Sequence, residues 1–453
     1  MHLKQHTLFL FVLLLAFATT FFLWSSNHIA SKKSNTEALQ LNLVVEWNKH
    51  ALESDRYTEG YNGPVAARTY AYIGLVAYET AVPAIATHYH SLASLFPELK
   101  LPIWHSDKKM HLPAALNACY ATILEKFFYT GPDFLNKDRQ SIAKKWELLF
   151  LKTVDPEQYA QSKDFGEKVA MAIYNWSMTD TLGHQAYLHN FERSYSPPQT
   201  DGNWIASQQF PMPPLLPYWG NVRTFMIQTK DYLAKPLPPY STAHNSPYYI
   251  QALEVFTISS PHSFENKWVA EFWSDDLHEL TFSPSGRWIS ITNQLIEKEG
   301  PEIGKTLETY MRLGLAMNDA FVVCWHSKYI YNLERPETFI KKVFNPNWEP
   351  LGHAPPFPSY PSGHATVAGA ANVVLTNLYG ENYEMTDNSH KGRTEFNSTP
   401  RHFHSFKEMA YEDAFSRIPL GVHFRMDCDE GLRLGTLIGK KYNQLDCNNK
   451  EVK

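Results

Sequence analysis

Cysteine is scarce, and where it occurs it does not cluster: Cys119, Cys324, Cys428 and Cys447 are the only four in 453 residues. Their spacing matches no zinc-ligand pattern. Charge is low as well, at 19% of residues, with a formal net charge of −5. No run of Lys and Arg forms the basic stripe that a nucleic-acid footprint needs, so nucleic acid is set aside as a partner. Sustained period-two alternation of apolar and polar residues is missing, which argues against a sheet-based fold. Long apolar runs are missing too, apart from Leu8 to Trp24. The apolar stretches after residue 37 are broken by charge, which argues against a multispanning membrane protein.

That single run follows His2 and Lys4 and gives way to Ser25-Ser26-Asn27 and Lys32-Lys33. This is the layout of an export signal, with Ala16-Phe17-Ala18 as a small-x-small cleavage candidate. Phe21, Phe22 and Leu23 prolong the run, so an uncleaved membrane anchor through residues 8–24 is the alternative. The expectation is a signal peptide or N-terminal anchor plus spacer over 1–37, then one domain over 38–453 lying outside the cytoplasm, periplasmic or secreted. In that setting a Cys428–Cys447 disulfide stays open. Cys119 and Cys324 lie inside apolar helical patterns and read as buried thiols.

Apolar residues (44%) and aromatics (14%) are plentiful enough to bury a large core. Helical spacing of apolar residues runs over Leu39 to His50, Ala66 to Val82, Leu112 to Tyr129, Arg139 to Thr153 and Tyr159 to Thr179. It resumes at Ser246 to Ser259, Trp288 to Glu299 and Pro301 to Asn332. The class is all-α. Between Thr181 and Ser246 nine prolines interleave with aromatics. Proline cannot continue a helix, so this stretch predicts a long ordered loop or lid over the bundle.

Three segments between Trp325 and Asp427 carry chemistry. In the first, Lys328 and Arg335 are seven positions apart, close to two helical turns, with Trp325 one turn earlier. This spacing predicts one helix face bearing both cations, stopped by Pro336. An exposed basic face is the bland alternative. In the second, prolines lead through Phe357, Pro358, Ser359, Tyr360, Pro361, Ser362, Gly363 and His364 into the apolar helical stretch Val367 to Tyr379. Ser362 reads as a helix start that leaves free N–H groups and the positive dipole end at Gly363 and His364, an oxyanion-binding arrangement. A cap without a ligand is the ordinary alternative. In the third, Ser416-Arg417 precede His423 and Asp427, which sit four apart before the helical run Glu430 to Asn443. Asp427 could orient the imidazole and fix its tautomer.

Taken together, these residues resemble the three-part signature of the type-2 phosphatidic acid phosphatase superfamily. That signature has a Lys and an Arg-Pro with six residues between them, then Pro-Ser-Gly-His, then Ser-Arg and His-x-x-x-Asp with five residues between them. Lys328, Arg335-Pro336, Pro361 to His364, Ser416-Arg417, His423 and Asp427 match each position. Within the superfamily the chain is most similar to the vanadium-dependent haloperoxidases of the bacterial iodoperoxidase kind. A long helical region precedes the motifs, and Trp325 and Phe357 look like the halide pocket. Trp219-Gly220 and Phe272-Trp273-Ser274-Asp275-Asp276 also look like haloperoxidase features.

The resemblance implies an all-α haloperoxidase or acid-phosphatase bundle, a vanadate cofactor, and hydrogen peroxide with halide as substrates. It implies that His423 Nε2 binds vanadium, and that Lys328, Arg335, Arg417, Ser362 and Gly363 hold the oxygens. It further implies that His364 takes the peroxide proton and Lys328 polarises the bound peroxide. Asp427, with Asp275 or Asp276, would support these groups from behind, the latter pair acting on Arg417. Phe357 occupies a position that looks like Phe in chloride- and iodide-oxidising relatives and His in many algal bromide enzymes, which argues against bromide, and an exported bacterial-type chain of this pattern looks most like an iodoperoxidase, which puts iodide first. An acid phosphatase with His423 as nucleophile, or a non-catalytic oxyanion binder, uses the same residues.

Overall fold

A computed structural model describes residues 35–105, 109–206, 212–275 and 277–449. The apolar run 8–24, with its export or anchoring role, and Asp276 lie outside the described residues. Among the described residues, fourteen α-helices and one two-stranded hairpin follow in order. The first six helices are α1 (Asn35–Tyr57), α2 (Gly63–Ile85), α3 (Leu112–Phe127), α4 (Asp133–Phe150), α5 (Pro156–Met178) and the single turn α6 (Thr181–His184). After the proline-rich stretch come α7 (Pro247–Ile258), α8 (Phe264–Phe272), α9 (Pro284–Glu299), α10 (Ile303–Tyr331), α11 (Pro336–Val343) and α12 (Gly363–Tyr379). The hairpin β1 (Met385–Asp387) and β2 (Arg401–Phe403) is antiparallel, and α13 (Phe406–Ser416) and α14 (Arg425–Tyr442) close the fold.

Two tightly crossed helix pairs form the core, α2 with α10 and α12 with α14, and α10 also packs on α12. Small residues let the backbones approach. A Cβ at Gly74 would lie 2.7 Å from the Met311 Cα, and one at Gly314 would lie 2.7 Å from the Tyr70 carbonyl oxygen. On α14, Gly431, Gly435 and Gly439 recur every four residues and form one ridge along α12. α10 is buried over almost its whole length from Gly304 to Lys328. It therefore delivers its C-terminal cation into the interior rather than to solvent.

Several expectations are corrected by local geometry. α10 ends at Tyr331, where Asn332 takes up a left-handed φ of 47°, a conformation Asn tolerates at helix ends. Pro336 does not stop that helix. It opens α11, with Arg335 as its N-cap, because proline at the first helical position gives up only an N–H that has no partner there. Lys328 and Arg335 thus stand on different helices. His423 and Asp427 do not share a helix face either: α14 begins at Arg425, and Asp427 in its first turn reaches back to the Phe424 N–H at 3.0 Å. Cys428 and Cys447 form no disulfide, and all four cysteines are free and buried. Helices α8, α11 and α13 and the hairpin are too short for periodicity to reveal.

Among its described residues, the stretch between Thr181 and Ser246 has short helical turns but no long helix. Asp319 on α10 latches it, accepting from the Phe225 and Met226 N–H groups at 2.9 and 3.1 Å. Trp219 is buried beneath the stretch, and Gly220 lies so close to α10 that a Cβ would sit 2.8 Å from the His326 Cα. Among the described residues no helix is long and apolar enough to cross a membrane.

A Cβ at Gly435 would meet the Thr366 carbonyl oxygen at 2.0 Å and the Ala370 nitrogen at 2.7 Å. Gly435→Ala is expected to destabilise the fold by about 1–3 kcal/mol through overpacking. Urea unfolding reads this directly, and an unchanged midpoint would contradict the close crossing.

Candidate active site

One cavity of about 360 Å³ has walls that include Trp325, Phe357, Gly363, His364, Arg417 and His423, and Lys328 and Arg335 stand behind its Phe357 and His423 rather than on its surface. Lys328, fully buried, donates from Nζ to the carbonyl oxygens of Pro358 and Ser359, each at 2.8 Å. Arg335, 2% exposed, donates from Nε to the Phe357 carbonyl at 3.0 Å and from Nη1 to the Val422 carbonyl at 2.8 Å. Arg417, also 2% exposed, donates to Ser416 Oγ at 2.9 Å and to the Trp273 carbonyl. None of the three makes an ion pair with a carboxylate among the described residues. The other deeply buried arginines do: Arg287 with Asp275 and Asp387, Arg312 with Glu308, and Arg68 with Asp180.

Burying charge without a counter-charge is costly, and the side chains register it. Burial pushes the Lys328 ammonium down to about 7 and the Arg335 guanidinium down to about 9. Phe357 offsets part of this, with its ring face 5.0 Å from Lys328 Nζ and 4.8 Å from the Arg335 guanidinium carbon. Arg335 Nη2 is buried with no hydrogen-bond partner among the described residues. A donor-rich pocket with an orphaned guanidinium nitrogen fits an oxyanion.

The helix α12 start adds to this. Ser362 is the N-cap, its Oγ accepting from the Ala365 N–H at 3.4 Å, and Gly363 is the first helical residue. A Cβ at Gly363 would crowd the rings of Phe321 and Trp325 at 3.3 Å. The helix therefore meets the aromatic wall with backbone alone. Trp325 packs on Phe357 with ring centroids 4.9 Å apart and donates its indole N–H to the Leu215 carbonyl at 3.3 Å. Leu215 in turn donates to the Pro356 carbonyl at 2.9 Å, so the proline-rich stretch braces the aromatic wall.

His423 Nε2 lies 3.2 Å from Arg335 Nη1, and its Nδ1 lies 2.9 Å from Asp427 Oδ2. Arg can only donate, so Nε2 must accept, and the imidazole proton is on Nδ1 facing Asp427. Asp427 Oδ2 also accepts from Ser359 Oγ at 2.5 Å, while its Oδ1 has no partner among the described residues; burial lifts this carboxyl to about 6. His364, partly buried, has its Nε2 3.3 Å from Arg417 Nη1 and by the same reasoning presents a lone pair there. Burial and then the neighbouring cations, Arg417 first for His364 and Arg335 first for His423, hold both imidazoles well below the usual histidine range. They are neutral at neutral pH.

The structure thus brings Lys328, Arg335, Ser362, Gly363, His364, Arg417 and His423 together with Trp325 and Phe357, and sets Asp427 behind His423. Asp275 lines the same cavity, but its hydrogen bonds go to Arg287, so it acts on Arg417 through charge rather than by a direct pair. Asp413 is a second buried carboxyl acting on Arg417, and sequence reading missed it because it lies on a helix too short to show a pattern. Ser359, which bridges to Asp427, was overlooked beside the more obvious Ser362. The pairing of Arg287 with Asp387 joins segments a hundred residues apart, and no local signal marks it.

The comparisons with known proteins point the same way. A family model described as the VCPO second helical-bundle domain matches residues 308–446. The vanadium chloroperoxidase of Curvularia inaequalis is 24% identical, over 47% of this chain and 46% of that protein; this chain therefore spans about half the length of that relative. A solved structure described as the first bacterial vanadium-dependent iodoperoxidase superposes with a TM-score of 0.79 at 27% identity, covering 91% of this chain and 98% of that one. In its fold and its C-terminal bundle, the chain is similar to the vanadium haloperoxidases. A holo bacterial vanadium-dependent chloroperoxidase, at 16% identity and a TM-score of 0.63 over 84% of this chain and 92% of that one, shares the haloperoxidase fold.

Two outcomes test the site independently of turnover. Asp427→Asn keeps the shape but loses the charge that orients His423, and phosphate affinity is expected to fall roughly 10–100-fold; calorimetric titration measures it, and an unchanged affinity would remove Asp427 from the site. Lys328 holds its proton below about 7 and loses it above. The advantage of the unaltered protein over Lys328→Met in binding phosphate should therefore be full at pH 6 and shrink as pH rises beyond 7. A gap independent of pH would show that Lys328 does not titrate in this range, against the lowering by burial.

Proposed function

We propose that this protein is a haloperoxidase that uses vanadate to oxidise halide, iodide above all, with hydrogen peroxide and a proton to give hypohalous acid and water. The observation that carries the reading is the set of three buried cations without carboxylate partners around His423 Nε2. Vanadate, when bound, supplies a pentavalent Lewis-acidic centre that activates peroxide toward halide without a redox-active protein ligand. Lys328, Arg335 and Arg417 would neutralise its oxygens, aided by Ser362 and the Gly363 N–H, and His423 Nε2 would hold the metal. His364 is neutral, with its Nε2 lone pair beside Arg417, and is placed to take the proton of hydrogen peroxide. Lys328 below its titration point supplies an ammonium that draws electron density from the reacting oxygen. Trp325 and Phe357 present ring faces that exclude water and suit a large polarisable halide.

Iodide preference is supported by the apolar Phe357 and by the solved iodoperoxidase at 27% identity. The N-terminal run at 8–24 supports an exported site of action. The deciding assay incubates the protein with or without orthovanadate and follows triiodide formation from iodide and peroxide, with bromide and chloride in parallel. Vanadate-dependent oxidation is expected, abolished in His423→Ala and reduced roughly 10²–10⁴-fold in His364→Ala. Phosphate-ester hydrolysis inhibited by vanadate, with no halide oxidised, would reassign the pocket to an acid phosphatase.

A further inference from the structure

The outer face of the β1–β2 hairpin carries a donor set that the oxyanion site does not use. In the register, Thr386 lies opposite His402 and Met385 opposite Phe403, so the next step sets Glu384 opposite His404. Side chains alternate across a strand, which puts Glu384, His402 and His404 on the solvent face. Met385, Asp387 and Phe403 are buried on the other. One ligand atom from each of Glu384, His402 and His404 lies within 4.8 Å of the other two, and all three residues are exposed. His404 Nδ1 stands 3.3 Å from Glu384 Oε1, and the two imidazole centroids are 5.2 Å apart. The Glu384 backbone is anchored by Lys298 Nζ, which donates to its carbonyl oxygen at 2.8 Å.

We propose that Glu384, His402 and His404 form a binding site for one divalent transition-metal ion of the zinc and copper class. Two imidazoles with one carboxylate suit such borderline ions, whereas calcium and magnesium take oxygen ligands. Around a tetrahedral ion with bonds of about 2.1 Å, ligand atoms stand roughly 3.4 Å apart. The contraction needed falls on exposed side chains, and it exchanges the His404–Glu384 hydrogen bond for two metal bonds, while His402 Nδ1 stands 3.2 Å from Thr386 Oγ1. The fourth position is left to water. The oxyanion pocket does not compete for the ion, because its three cations repel it. The bound ion cross-links the two strands whose inward Asp387 pairs with Arg287 at 3.2 Å, so it braces a buried network behind the cavity.

The test is calorimetric titration of the full chain with zinc, and electron paramagnetic resonance after one equivalent of copper(II), in phosphate-free buffer. One ion per chain is expected, with nitrogen couplings from two imidazoles. His402→Ala combined with His404→Ala should lose at least about 100-fold in affinity, since even partners outside the ligand shell are worth roughly 10–100-fold. Both side chains are exposed, so the variant should keep its phosphate affinity, which serves as the folding control. Glu384→Gln, which keeps the shape, should weaken zinc binding with the imidazole couplings retained. The absence of saturable zinc binding, or an affinity unchanged in the double variant, would overturn the site.

Discussion

The structure depends on the burial of three cations that the protein itself does not neutralise. Lys328, Arg335 and Arg417 come from the end of one helix, the start of another and the end of a third, and each is held by backbone carbonyl oxygens instead of carboxylates. Carbonyl groups orient a cation without cancelling its charge. The depressed ammonium of Lys328 and the unpartnered Arg335 Nη2 measure what is left over. Elsewhere the same chain pairs its buried arginines with acids, so the exception is local and confined to one cavity. An oxyanion is the ligand that meets the uncompensated cations and the unmet Arg335 donor at once.

Much of the surrounding architecture holds these groups still. The close crossing of α12 and α14, permitted by glycines, sets the Ser362 cap against Asp427, whose carbonyl oxygen accepts from the Ser362 N–H at 2.9 Å. The proline-rich stretch, latched by Asp319, carries the Leu215 carbonyl that fixes Trp325. Behind Arg417, the acids Asp275 and Asp413 lie close enough to raise its proton affinity but are themselves buried, with Asp275 bound to Arg287. The cation keeps its charge yet remains free to face the cavity.

Residue identities at the site were legible in the sequence because the chemistry restricts them: few patterns place Lys, Arg-Pro, Pro-Ser-Gly-His, Ser-Arg and His-x-x-x-Asp in order. Their geometry was less legible. The interval from Lys328 to Arg335 suggested two helical turns, but Asn332 in the left-handed region and Pro336 at a helix start divide it between two helices. His423 and Asp427 suggested a shared face, whereas Asp427 reaches back as a first-turn acid. The long helices could be read from period, since burial of one face imposes it. Helices of eight to eleven residues and strands of three could not, because tertiary contacts decide them. Glu384 and His402 likewise meet only through strand pairing.

The most direct measurement is a crystal structure of the protein soaked in orthovanadate near neutral pH. The account predicts a single anion in the cavity, bonded to His423 Nε2 and contacted by Lys328 Nζ, Arg335 Nη2 and the Arg417 guanidinium, with the three cations otherwise placed as described. An empty cavity with Lys328, Arg335 or Arg417 turned toward a protein carboxylate would contradict it.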